Sequence, residues 1–143
     1  MIKATQWLAG AAVLVAVGLV GRTAWSGKPE RDKIEELGPH VADAVASVKA
    51  DCGCDVAVSV KFDTYPDASS MSGVTPLLTG LKGAAKSHCA KPADKQALCS
   101  SLSAVEITYS GEAPIMVGKT LKAHSEGGSH SGEHDLSELF DHF

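Results

Sequence analysis

Asp51-Cys52-Gly53-Cys54-Asp55-Val56-Ala57-Val58-Ser59-Val60-Lys61-Phe62 is the stretch of sequence that decides the fold of this chain. Every second residue from Val56 to Phe62 is apolar, and the residues between them are small or polar. This alternation predicts a β-strand with one buried face. Gly53, which stands between two cysteines, suits the positive φ with which a helix ends before such a strand.

A helix is predicted on the amino-terminal side of this strand. The pattern begins at Glu30, is interrupted at Gly38-Pro39, and resumes from His40 to Ala50. Proline lacks an N–H and clashes with the preceding turn, so the helix is expected to kink or restart there. Apolar residues at a spacing of three or four form one stripe for packing on a sheet: Ile34, Leu37, Val41, Val45, Val48 and Cys52.

The chain beyond the first strand predicts two helices and a hairpin. A loop over residues 63–73 leads into a helix from Thr75 to about Cys89, and a short helix follows from Ala93 to about Ser101. Alternation predicts a second strand at Val105–Tyr109, and Pro114-Ile115-Met116-Val117 begins a third strand that extends to about Leu121. The close spacing of the two strands predicts a hairpin. The expected fold is α+β, with a small three-stranded sheet, helices packed on one face, and disulfide staples.

Both ends of the chain differ in character from this domain. Residues 1–26 resemble a signal peptide or signal anchor, because an apolar run precedes Ala24-Trp25-Ser26, a suitable cleavage site. We place the α+β domain at residues 27–123 and a His- and acid-rich flexible tail at residues 124–143. Export to the periplasm or the extracellular space is expected, with membrane association through residues 7–24 if the segment is retained. Basic residues after the run, beginning with Arg22, leave open an anchor with the domain in the cytoplasm.

The four cysteines predict two disulfides. A right-handed strand–helix–strand crossover brings Cys52, Cys54, Cys89 and Cys99 to one end of the domain. In an oxidising compartment such a cluster forms disulfides. A bridge within Cys52-Gly53-Cys54 is strained, so that pair is expected to join Cys89 and Cys99, with the partner of each left open. A four-thiolate zinc site is the alternative, although the one-residue and nine-residue gaps fit it poorly.

The histidines of the tail suggest a second kind of chemistry. His124, His130, His134 and His142 are interspersed with five carboxylates, and imidazole with carboxylate suits zinc or copper. A metal-handling protein is therefore one alternative function. A solubilising acidic tail is the simpler interpretation of the same residues.

Two further groups of residues are candidates for binding. The loop after the first strand leaves the carboxyl end of that strand, where α/β sheets bind ligands; its candidate contacts are Asp63, Thr64, Tyr65 and Asp67. A solvated connector is the alternative there. The tail ends in an amphipathic motif that could dock on a protein partner or on the domain itself, and we favour a partner: Leu136, Leu139, Phe140 and Phe143.

Charge and motifs narrow the function classes. From His124 onward the chain carries five acids and no Lys or Arg, so the remainder of the chain has 13 basic and 12 acidic residues. No basic stripe predicts nucleic-acid binding. Neither a phosphate-binding glycine loop nor a hydrolase nucleophile motif occurs. The sequence therefore predicts a non-enzymatic binding or assembly module, with thiol–disulfide exchange at Cys52 and Cys54 as the enzymatic alternative.

Overall fold

The computed structural model describes residues 27–125 and 133–143, so the expected signal peptide or anchor at residues 1–26 lies outside the described residues. The described helices are α1 (Lys28–Cys52), α2 (Val74–His88), α3 (Pro92–Ser101) and α4 (Glu133–Phe140). The strands are β1 (Ala57–Val60), β2 (Ala104–Thr108), β3 (Ile115–Val117) and β4 (Thr120–His124). Short 3₁₀ turns occupy Phe62–Thr64 and Ser69–Gly73.

The chain forms an α+β fold around a mixed four-stranded sheet, with strand order β1-β2-β4-β3. β1, β2 and β4 run parallel, and β3 pairs antiparallel with β4. The α+β class is therefore confirmed. The three-stranded sheet, and the hairpin between the second and third strands, are wrong.

A two-residue turn accounts for the extra strand. Gly118 has φ of 62° and, with Lys119, connects β3 to β4. A positive φ at the first turn position is typical of a tight β-hairpin. The region from Pro114 to Leu121 therefore contributes to two strands, where the sequence analysis predicts one. β4 lies between β2 and β3 in the sheet, so β3 and β4 form the hairpin and β3 does not pair with β2.

The helices cover one face of this sheet. Side chains alternate between buried and partly exposed along β2, and the apolar set from Val56 to Phe62 is buried, as its spacing predicts. α1 and α2 pack against each other, and α1 also contacts β1. The core therefore lies between the helices and one sheet face, while the other face carries polar side chains such as Glu106 and Lys122, joined by an ion pair of 2.8 Å.

α1 is one continuous helix of 25 residues that passes through Pro39. Of the two outcomes expected at Gly38-Pro39, a kink or a restart of the helix, the restart does not occur. Buried side chains on both sides of the proline hold the helix to the domain, and this packing outweighs the hydrogen bond that proline removes. The buried stripe includes Leu37 and Val41, which flank Pro39. Gly53 ends the helix with φ of 77°, as expected.

Two disulfides join α1 and the segment after it to the helices that follow. Cys52 is bonded to Cys89, and Cys54 is bonded to Cys99. These bonds resolve the connectivity that the sequence leaves open. They indicate an oxidising, exported compartment. In the described part of the chain, no helix combines the length and apolar character that crossing a bilayer requires.

Candidate functional site

The carboxyl ends of three parallel strands meet at one edge of the sheet. β1, β2 and β4 share a direction, so the residues that follow Val60, Thr108 and His124 leave the sheet at this edge. Ligands in open α/β sheets bind in crevices at such edges. The residues that fill this edge therefore decide what it can bind.

The loop after β1 is tied to the ends of the other two parallel strands. The Thr64 hydroxyl donates to the carbonyl of Lys61 at 2.6 Å and accepts from the backbone N–H of Tyr109 at 2.9 Å. Tyr65 is buried, its hydroxyl lies 2.5 Å from Ser125 Oγ, and its ring centroid is 5.3 Å from that of Tyr109. Thr64 and Tyr65 thus hold the strand ends together.

The two acidic residues of this loop are both exposed. The Asp67 carboxylate accepts from the backbone N–H of Ser70 at 2.8 Å and from the hydroxyl of Ser69 at 2.9 Å. These hydrogen bonds, chiefly that from the Ser70 N–H, lower the pKa of Asp67 below its usual value. Asp67 therefore stabilises the turn at Ser69–Gly73. The role of Asp63, Thr64, Tyr65 and Asp67 as ligand contacts stays a prediction. Side-chain hydrogen bonds within the domain involve Thr64, Tyr65 and Asp67.

His124 lies in β4, although the sequence places it at the start of a flexible tail. Its Nδ1 is 2.8 Å from the hydroxyl of Thr108 on β2, and its Nε2 is 3.9 Å from Glu112 Oε2. The side chain is 8% exposed. Parallel pairing of β2 with β4 places residue 108 beside residue 124, which brings the imidazole to the same edge as Tyr65 and Ser125.

An open cleft of about 380 Å³ lies between the loop that precedes β3 and the carboxyl-terminal helix α4, and Glu112, the neighbour of His124, is one of the residues that line it. We call it the acidic cleft. The loop supplies Gly111, Glu112, Ala113 and Pro114, and the α4 region supplies Asp135, Glu138, Leu139 and His142. Three of these eight residues are carboxylates and none is Lys or Arg. The cleft therefore attracts positively charged groups.

The structure describes the side chains of two of the four tail histidines. His124 is in β4, His142 lines the acidic cleft, His130 lies outside the described residues, and the side chain of His134 is not described either. Within residues 27–125 and 133–143, no three metal-ligating side chains are grouped closely enough to hold a metal ion. Zinc or copper binding by the tail stays a prediction.

All four cysteines of the chain are in disulfides. Cys52 is 1% exposed and Cys89 is 7% exposed, while Cys54 and Cys99 are partly buried. Thiol–disulfide exchange requires attack by an external thiolate on an accessible sulfur atom. The exchange hypothesis stays a prediction, and burial of the Cys52–Cys89 bond gives it no support.

The apolar residues of the tail pack on the domain itself. Leu136 and Phe140 are fully buried, Leu139 and Phe143 are partly buried, and α4 packs along α2. His88, at the end of α2, contacts the edges of the Phe140 and Phe143 rings, with centroids 6.0 and 6.4 Å away. The sequence favours a partner as the docking site of this motif, whereas in the structure the motif covers α2 and thereby builds one wall of the acidic cleft.

Sequence reasoning missed the residues that characterise the acidic cleft and the edge strand β3. Glu112 lies in a turn of unremarkable sequence, and only tertiary packing brings it beside Asp135 and Glu138 of α4. Ile115 and Val117 are 56% and 54% exposed, and they are the large apolar residues that stand exposed in the described part of the chain. The available signal was Pro114, which predicts an edge strand, and β3 is an edge strand.

Comparison with protein-family models, with curated proteins and with solved structures finds no match for this chain.

Proposed function

We propose that this protein is an exported, non-enzymatic binding or assembly module that docks a protein through β3 and the acidic cleft beside it. Residues 1–26 direct export, as a cleaved signal peptide or a retained anchor, to the periplasm or the extracellular space. The disulfides support an oxidising destination. The function is then to hold a protein partner, and the stapled fold is the rigid support for the docking surface.

The observation that carries the proposal is the exposure of Ile115 and Val117 on β3. Both side chains are more than half exposed, and they lie on the same face of an edge strand. Natural proteins protect sheet edges with very short strands, proline, charged residues, bulges or a covering segment, because unpaired backbone groups recruit other strands. β3 is short and follows Pro114, but it has no charged residue between Ile115 and Val117 and exposes both of these apolar side chains. An uncharged, apolar edge of this kind is typical of a surface that another chain covers.

The test compares complexes isolated from cells that make the protein naturally. A tagged chain with Ile115→Asp and Val117→Asp is expected to lose the complex that the native chain forms, because two carboxylates replace the apolar contact. Ala46→Asp is the matched control, since Ala46 is exposed on α1 away from the sheet edge. Native electrophoresis of extracts measures the complex. An unchanged complex in the doubly substituted chain would contradict the proposal.

A further inference from the structure

The backbone groups of the middle residue of β3 are positioned to pair with another strand. The turn at Gly118-Lys119 joins Val117 to Thr120, and such two-residue turns place a hydrogen bond between the residues that flank them. Residues opposite each other in an antiparallel ladder alternate between bonded and non-bonded pairs. Met116, which lies opposite Leu121, therefore directs its backbone N–H and C=O away from β4. No other described strand pairs with this side of β3, so its edge presents one complete donor–acceptor pair at the middle residue.

Residues of opposite charge lie near the two ends of β3. The acidic cleft, with Glu112, adjoins the start of β3 through Pro114, and Lys119 follows the end of β3. Lys119 is exposed and forms no ion pair with another described residue. A second strand that runs antiparallel to β3 about Met116 brings its own carboxyl end to the acidic cleft. A partner that fits this edge therefore has apolar residues flanking its centre and a basic residue after its carboxyl end.

The chain itself satisfies this requirement. We propose that the occupant of the edge is a second copy of the same chain, with the two β3 strands paired antiparallel about Met116. In this arrangement Ile115 faces Val117 of the other copy, and the Met116 backbone groups of the two copies bond to each other. Lys119 of each copy enters the acidic cleft of the other, beside Ala113 and Glu112. The proposal rests on the proposed function, because it names the occupant of the same docking surface.

The symmetry of the pairing strengthens it. A two-fold interface repeats each contact, so one Lys–carboxylate contact becomes two, and one apolar pair becomes two. It also converts two open four-stranded sheets into one continuous eight-stranded sheet, which removes both β3 edges from solvent. The contact is small because β3 has three residues, so we expect a dissociation constant in the micromolar range or weaker. In a contact of this size the paired charges contribute more to the choice of partner than to the strength of binding.

Charge reversal provides the sharpest test. In Glu112→Lys, both symmetric contacts become Lys–Lys, and in Lys119→Glu both become Glu–Glu. Each variant alone is expected to dimerise about tenfold more weakly or worse. In an equimolar mixture, the heterodimer has a Lys–Glu contact at both positions. The mixture is therefore expected to regain native affinity to within about threefold.

Sedimentation equilibrium of the exported protein, purified with both disulfides intact, measures these affinities over a concentration range that reaches millimolar. Ile115→Asp is expected to be monomeric throughout, and Ala46→Asp is expected to match the native chain. A native chain that stays monomeric would overturn the second-copy proposal. So would charge-reversed variants that dimerise as the native chain does, or a mixture that fails to recover. If cells nevertheless yield a different protein bound at Val117, the proposed function stands without the second copy.

Discussion

Gly53 shows how a single residue permits the connection between α1 and β1. Its φ of 77° lies in the left-handed region, and its N–H donates to the carbonyl of Lys49 at 2.8 Å. A side chain would meet only the end of Lys95, at 3.5 Å, so space does not limit substitution. Backbone conformation does, because L-residues with a β-carbon are strained at this φ.

Gly53→Ala is therefore expected to lower the free energy of unfolding by about 1–2 kcal/mol. Gly53→Asn is expected to cost less, because Asn tolerates the left-handed conformation by bonding locally. Urea denaturation of the oxidised protein measures both. Equal losses for Ala and Asn would show that the side chain, and not the backbone conformation, limits this position.

Tyr65 connects the loop after β1 to Ser125 beyond β4, and it is 1% exposed. Burial is the main cause that raises the pKa of Tyr65 to about 12, against a usual value of 10.0. The neutral phenol is thus favoured in the folded state. The stability that this supplies is complete below pH 10 and is lost as the pH rises from 10 to 12, with a total of roughly 2–3 kcal/mol.

Absorbance at the phenolate wavelength after rapid pH jumps is expected to show a titration step near pH 12. Tyr65→Phe removes this step, and Tyr109→Phe, the matched control, retains it. Persistence of the step in Tyr65→Phe would assign it elsewhere. The Phe variant also leaves the Ser125 hydroxyl without its phenol partner, so we expect it to be about 1–2 kcal/mol less stable at neutral pH.

At the scale of elements, alternation predicts β1 and β2 well, whereas the apolar run after Pro114 predicts one strand where the structure has two. The buried face from Val56 to Phe62 follows the pattern, because period two maps directly onto a pleated strand that is covered on one side. Gly118 followed by Lys119 suits a two-residue turn, so the local sequence holds a signal for dividing this region that the single-strand prediction leaves out. The pairing of β4 with β2, which places β3 outside β4, is a long-range contact that local sequence does not reveal.

The carboxyl-terminal helix α4 was predicted as an amphipathic segment, and its burial on α2 could not be deduced from the sequence. Leu136 and Phe140 form the buried side of α4, but the same residues would suit docking on another protein equally well. The packing of α4 along α2 and its edge contacts with His88 are tertiary facts. The acidic cleft depends on them, because α4 and His142 after it supply half of its lining.

Phe140→Ala is expected to release α4 from α2, because truncation of a fully buried Phe removes about 3–5 kcal/mol of packing free energy. Amide hydrogen exchange should then show fast exchange across α4 and loss of protection at the end of α2, while β1 and β2 stay protected. Ser137→Ala on the same helix is the matched control. If α4 stays protected in Phe140→Ala, the expectation that Phe140 holds α4 on α2 is wrong.

For the whole molecule, the sequence predicted the α+β class and the clustering of four cysteines, because both follow from short-range patterns and the handedness of crossovers. The bonds Cys52–Cys89 and Cys54–Cys99 place both staples at the amino end of β1, opposite the edge that carries the acidic cleft. The candidate site was not predictable, since Glu112, Asp135 and β3 meet only after the sheet and α4 are assembled. The docking surface that we propose therefore depends on the complete fold.

A photo-crosslinking side chain placed at Val117 tests most directly whether the β3 edge is the docking surface. The protein is produced in its native cells, irradiated and recovered, and Ala46 on α1 is the matched control position. The account predicts a discrete cross-linked product at position 117, with the mass of two copies of this chain, and no product at position 46. Absence of a product at position 117, or equal products at both positions, would contradict docking at this edge.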